Sequence, residues 1–99
     1  MQINMEDFDK VDVRIGTIRG AKPNKRSRNA AYVLEIDFGP EIGVKKSSAQ
    51  ITDVYEPDDL IGKQVVCVIN LIPIYIGSVK SEVRILGSES EQGIVLLVP

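Results

Sequence analysis

The sequence has no histidine, no tryptophan and a single cysteine. Each absence closes off a chemistry. Without histidine, the commonest general acid–base and the commonest metal ligand are both missing. The lone Cys67 cannot close an internal disulfide and has no partner for zinc. It lies in the apolar run VVCVINLI, where a thiol reads as a small core hydrophobe, because burial keeps its pKa high. Such cysteine usage fits a reducing cytoplasm. There is no Walker loop, no GxSxG and no GxGxxG. The adjacent carboxylates Asp58 and Asp59 fall in a polar connector, where solvation explains them better than catalysis does. The expectation is a protein that is not an enzyme and uses no metal or cofactor. No apolar run approaches the ~20 residues of a membrane helix. The start, MQINMEDFDK, lacks the cationic and apolar regions of a secretory signal.

What is present is one domain, residues 1–99, with an ordinary apolar fraction of 43%. At this size the hydrophobic core is small. Charge is unevenly placed. The chain carries 12 Lys and Arg against 14 Asp and Glu, yet KPNKRSRN (22–29) holds four cations and no carboxylate. Residues 1–13 are net −3, residues 14–52 net +5 and residues 53–99 net −4. Charge runs often only keep a surface wet. A local cluster inside a net-acidic chain also suits a polyanion that meets one face, since clustered cations gain from counterion release. Arg14, Arg19, Lys22, Lys25, Arg26 and Arg28 are the candidate phosphate contacts, which position a ligand without reading its sequence. Lys45 and Lys46 are adjacent on an expected strand and point to opposite faces, so at most one joins them.

The hydrophobic pattern is that of short strands. VDVRIGTIRG (11–20) alternates at period two, with Val11, Val13 and Ile15 inward and Asp12 and Arg14 outward. Gly16 interrupts it and marks a bulge or bend. KPNKRSRN is a loop with Pro23 and Asn24 as turn residues. AYVLEIDFG (31–39) puts Tyr32, Leu34, Ile36 and Phe38 on one face, and IGVKKSS (42–48) is a short third strand. Ser48 is placed to cap a short helix in AQITDVY. Pro57 with Asp58 and Asp59 marks a second turn or helical start, stopped by Gly62. KQVVCVINLI (63–72) is a central strand ended by Pro73, which cannot donate to a ladder. SEVRILGS (81–88) and GIVLLV (93–98) are two more strands. The fold class is therefore all-β, a small and mostly antiparallel barrel. A five-stranded OB-fold barrel with a short helix between strands 3 and 4 is one of the small barrels that fit, and its face and loops suit oligonucleotides.

Six segments in order carry a resemblance to a known family: FDKVDVRIGTI (8–18), AYVLEIDFG (31–39), SSAQIT (47–52) with Tyr55, LIGKQVVCVIN (60–70), SEVRILG (81–87) and GIVLLV (93–98). The chain resembles the CsaA-type tRNA-binding-domain proteins, akin to the RNA-binding modules of some aminoacyl-tRNA synthetases. The resemblance implies an OB fold, a homodimer, tRNA as partner recognised by shape, and a chaperone-like, export-related activity towards unfolded polypeptide. By position, Arg28 matches a basic residue before the second strand. Ser47, Ser48 and Gln50 match a serine-rich turn, Asn70 the asparagine that ends the long central strand, and Ser81 with Glu82 an SE pair on the nucleic-acid side. Three places depart from the family pattern. SRNAAY stands for a loop like ARKPAY, NLIP (70–73) for NFPP, and Arg84 for Met or Leu. The family's further C-terminal segment, which helps to build the dimer, would follow Pro99.

Charge and resemblance together name Arg14, Lys25, Arg26, Arg28, Lys46, Ser47, Ser48, Asn70, Ser81 and Arg84 as RNA-binding candidates. Leu71, Ile72, Ile74 and Tyr75 are candidates for a peptide-binding groove or a dimer seam, since an exposed apolar patch implies a partner. Arginine at position 84 can clamp phosphate and stack on a base. The scarcity of aromatics argues against stacked single strands and for recognition of a folded RNA by shape and backbone. No membrane partner is expected.

Overall fold

The computed structural model describes residues 1–99. A short helix, α1 (Met5–Asp9), precedes the strands β1 (Val13–Pro23), β2 (Tyr32–Asp37) and β3 (Val44–Ala49). Helix α2 (Pro57–Leu60) follows, then β4 (Gln64–Val68), β5 (Ile74–Ile76), β6 (Val79–Ser81), β7 (Arg84–Ile85), β8 (Gly87–Ser90) and β9 (Gly93–Leu96). Five strands form one antiparallel sheet in the order β3-β2-β1-β4-β7, and it curls into a nearly closed barrel. The helix lies between the third and fourth strands of that barrel, as the sequence pattern predicts. No helix is long and apolar enough to cross a membrane.

The long β1 makes the curl possible. Its first half, Val13 to Thr17, pairs with β4, and its second half, Thr17 to Pro23, pairs with β2. The register slips between Ile18 and Gly20, so the bulge predicted at Gly16 sits at Arg19 instead. Gly16 is a close-packing site. A Cβ there would come within 2.6 Å of Ile36 and 2.7 Å of the Phe38 ring.

The predicted facing of β1 is reversed. Gly16 and Ile18 are buried, whereas Val11, Val13 and Ile15 are exposed. The reason is the partner. Gly16 is opposite the fully buried Val65, so Gly16 and Ile18 face the core, and the bulge at Arg19 then hands that side to Ala21. The core itself comprises Ile18, Tyr32, Leu34, Ile36, Ala49, Ile51, Leu60, Val65, Cys67, Val83 and Leu96. Two tyrosines tie its ends together. Tyr32 Oη donates to the Tyr55 carbonyl at 2.7 Å, and Tyr55 Oη accepts from the Leu96 amide at 3.0 Å.

Three further expectations change. Ser48 does not cap a helix, because β3 runs on through Ala49 and α2 begins only at Pro57. There the Asp59 carboxylate accepts from the Glu56 amide at 3.1 Å. The strand expected over 63–72 ends at Val68, five residues before Pro73. The strand expected over 81–88 is divided among β6, β7 and β8.

Candidate nucleic-acid interface

The basic loop between β1 and β2 is organised by Asn24. Its amide N–H donates to the Ala31 carbonyl at 2.9 Å and its carbonyl accepts from Ser27 N–H at 3.3 Å. Its Oδ1 accepts from Arg26 N–H at 3.3 Å, a side-chain turn of the kind asparagine favours. Lys22, Lys25, Arg26 and Arg28 are all exposed around it. The chain's four ion pairs leave these cations out. They join Lys10 to Asp7, Arg14 to Asp12, Arg19 to Glu35 and Lys45 to Glu82. The loop's positive charge is therefore uncompensated by nearby carboxylates.

The loop rests on a hairpin formed by the segment that carries Ile74 and Tyr75. Strands β5 and β6 pair Ile74 with Ser81, Tyr75 with Lys80 and Ile76 with Val79, leaving the two-residue turn Gly77–Ser78. Gly77 has φ 63°, and glycine at the first central position is what a type II′ turn requires. Glycine is doubly needed, since a Cβ would stand 2.7 Å from the Arg26 carbonyl oxygen. The hairpin exposes Ile74 and Tyr75, and Leu71 and Ile72 are exposed in the approach to it.

Between the hairpin and the barrel runs a groove of about 870 Å³. It is lined by Ser47 and Ser48 of β3, by Gln50 just after that strand, by Ile74 and Ile76 of the hairpin, and by the segment Asn70–Ile72. Ile85, Ile94 and Leu96 line it deeper in the barrel. Ser81, Glu82 and Arg84 also line it. Ser81 and Glu82 finish the free edge of β3. Ser81 Oγ accepts from Ser48 N–H at 3.0 Å, Glu82 N–H donates to the Lys46 carbonyl at 2.8 Å, and Glu82 Oε1 accepts from Lys46 N–H at 3.2 Å. Glu82 also stands 3.8 Å from Lys45 Nζ, so it orders a cation as well as an edge.

The structure brings some of the sequence-predicted residues together and separates others. Lys25, Arg26 and Arg28 share one loop, and Ser48 touches that loop through Asn24 Nδ2 at 3.1 Å. Lys46 shares the outward face of β3 with Ser48, about 7 Å along the strand. Ser47, at 1% exposure, faces the core from the same strand. Arg14 is remote. It lies at the start of β1, roughly 30 Å of strand from the loop. Its Nε donates to Asp12 Oδ1 at 2.7 Å, a bond that raises the guanidinium pKa and lowers that of the Asp12 carboxyl. Asn70 has its amide engaged on both sides. Its Oδ1 accepts from Asp12 N–H at 2.9 Å and its Nδ2 donates to the Lys10 carbonyl at 2.6 Å. Arg84 is exposed, directly across from Val68. Sequence reasoning missed Asn24 as a buried hub and missed the hairpin. The Gly-Ser pair between IYI and VKS is the signal that would have found the hairpin.

Comparison with known proteins agrees with this geometry. In solved structures, the CsaA chaperone protein of Picrophilus torridus superposes with a TM-score of 0.95 at 43% identity, covering 99% of this chain and 91% of that one. The chaperone CsaA of Bacillus anthracis gives a TM-score of 0.91 at 49% identity, covering 100% and 90%. Among curated sequences, the methionine–tRNA ligase of Methanococcoides burtonii is 37% identical over 98 residues. That match takes in 98% of this chain but 14% of the ligase, so the chain spans only a small part of the synthetase's length. The family model described as a putative tRNA binding domain matches residues 13–99, and the chain therefore belongs to the tRNA-binding domain family.

Proposed function

We propose that this domain is a non-catalytic module that binds tRNA by its backbone and shape. The observation that carries the reading is the cation cluster Lys22, Lys25, Arg26 and Arg28, exposed, without carboxylate partners and braced beside an open groove. Phosphates reward such a cluster, and the acidic remainder of the chain turns the polyanion away from other faces. Lys46 extends the basic surface along β3, and Arg84 stands at the groove's margin. The test is binding of a labelled tRNA mixture across a salt series. The Arg26→Ala/Arg28→Ala variant should flatten the slope of log affinity against log salt by about 1.5, the loss of two phosphate contacts. An unchanged slope would remove the loop from the interface, and no binding by the parent at low salt would end the reading.

A second reading is favoured by the apolar wall of the groove. Ile72 is 90% exposed and Ile74 60%, and with Leu71 and Tyr75 they expose four large apolar side chains within five residues, a grouping that suits a partner. An unfolded, apolar polypeptide is the ligand that such a wall suits. Because the same groove is lined by Ser48 and Ser81, the peptide would compete with RNA there.

The assembly we propose is a homodimer, and the support lies on the barrel's outer surface. Val13 is opposite Val68, and Ile15 opposite Val66, on the outward side of β1 and β4. Leu86 bonds through its N–H to the Val66 carbonyl, and its own carbonyl accepts from Leu97 N–H. Val13, Ile15, Val66, Leu86 and Leu97 thus lie on four neighbouring segments of the barrel wall, with Val13, Ile15 and Leu97 substantially exposed. A second copy applied to this stripe would cover it and present two basic loops.

A further inference from the structure

A strongly basic loop has little reason to bury an amide, yet Asn24 is only 8% exposed at the start of one. Its side chain makes three hydrogen bonds. Oδ1 holds Arg26 N–H inside the loop, while Nδ2 uses both hydrogens outward, one to Ser48 Oγ on β3 and one to the Ile76 carbonyl on the hairpin, each at 3.1 Å. Three separate segments, distant in sequence by 24 and 52 residues, thus meet at one side chain. The Gly77–Arg26 contact seals the same junction from the hairpin side.

We propose that Asn24 is a positioning residue of the RNA interface, holding the cations of the loop at fixed spacing from Lys46 and from the groove. This rests on the tRNA reading given above. Asn24 need not touch RNA. Its effect is preorganisation. Cations on a free loop keep their charge and their counterion release, but must lose conformational freedom on binding, and that cost lowers affinity. Tethering the loop to two rigid strands removes the cost in advance. The hairpin is ordered by the same bonds, so a ligand that seats the loop also seats the groove's apolar wall.

The variant to make is Asn24→Ser. A serine oxygen can still accept from Arg26 N–H and keep the turn, but it cannot reach both Ser48 and Ile76. Three quantities are read: tRNA affinity, its salt slope, and the fold-cost of adding Arg28→Ala, a residue that makes no bond to Asn24. Asn24→Ser should lower affinity about tenfold with the salt slope unchanged, because two hydrogen bonds that fix the loop are lost and no cation is. Arg28→Ala should cost about fivefold in the parent and less than about twofold beside Asn24→Ser, since neighbouring groups in one network are coupled. Hydrogen exchange should quicken together in the loop and in residues 74–81 while β1, β2 and β4 keep the parent's protection, which guards against misreading a variant that has simply unfolded. A full Arg28 cost in both backgrounds, or an unaltered exchange rate in the hairpin, overturns the positioning role while leaving the tRNA reading intact. A parent that does not bind tRNA overturns both.

Discussion

Gly16 and Cys67 sit in neighbouring strands of the barrel wall, and each is fixed by what lies directly against it. Ile36 and Phe38 occupy the space where a side chain at position 16 would go. Gly16→Ala must push an isoleucine methyl or an aromatic ring aside, and overpacking of this kind costs about 2 kcal/mol. Urea unfolding should show that loss, and an unchanged midpoint would mean that Phe38 swings away freely. Cys67 is fully buried, which pushes its thiol up from an ordinary 9.0 to about 12. In the unfolded chain the thiol ionises near 9.0. Its contribution to stability is therefore complete below that pH and is lost as pH rises towards about 12. The native protein should resist iodoacetamide at pH 8, with labelling appearing only as denaturant unfolds it. Rapid labelling of the native state would show that β4 opens locally.

At the scale of elements, the hairpin β5–β6 is the part that most changes the reading of the chain. Fold class, barrel and the place of α2 were legible because alternation in AYVLEIDFG and VDVRIGTIRG is a local signal and Pro57 and Gly62 are local punctuation. The facing of β1 was not legible. Val13 and Ile15 alternate correctly for a strand, but alternation cannot say which side is the core when the outer side is apolar too. Nor could sequence order reveal that Asn24, Ser48 and Ile76 converge, since that depends on how β3 and the hairpin close the barrel. The basic loop was readable from composition alone, whereas the isolation of Arg14 from it required the length of β1. The hairpin's own prediction follows from its exposure. Ile72→Ser/Ile74→Ser should lower binding of an unfolded apolar polypeptide at least about tenfold, roughly the loss of one isoleucine side-chain burial. It should leave the tRNA salt slope as in the parent. Loss of tRNA binding with a flattened slope would instead place the apolar wall under the RNA backbone.

For the whole molecule the question is how a small, net-acidic barrel gains affinity from one modest basic loop. Four loop cations and Lys46 are few for a folded RNA, and screening at physiological salt weakens each of them. A dimer addresses this by geometry. Two loops on one symmetric particle make the second contact intramolecular, which raises apparent affinity without any new type of contact. The apolar stripe through Val13, Ile15, Val66, Leu86 and Leu97 is where the proposed partner would sit. Ile15→Lys tests it with little risk to the fold, because Ile15 is 53% exposed. Sedimentation equilibrium should give the parent twice the 10.9 kDa chain mass and the variant the single mass. Apparent tRNA affinity should fall in the variant even though it has gained a cation. That opposition of signs makes the experiment decisive, since charge alone predicts tighter binding and only loss of the second subunit predicts weaker. A parent already monomeric at tens of micromolar, or a monomeric variant that binds tRNA as tightly as the parent, would leave a single loop as the whole interface.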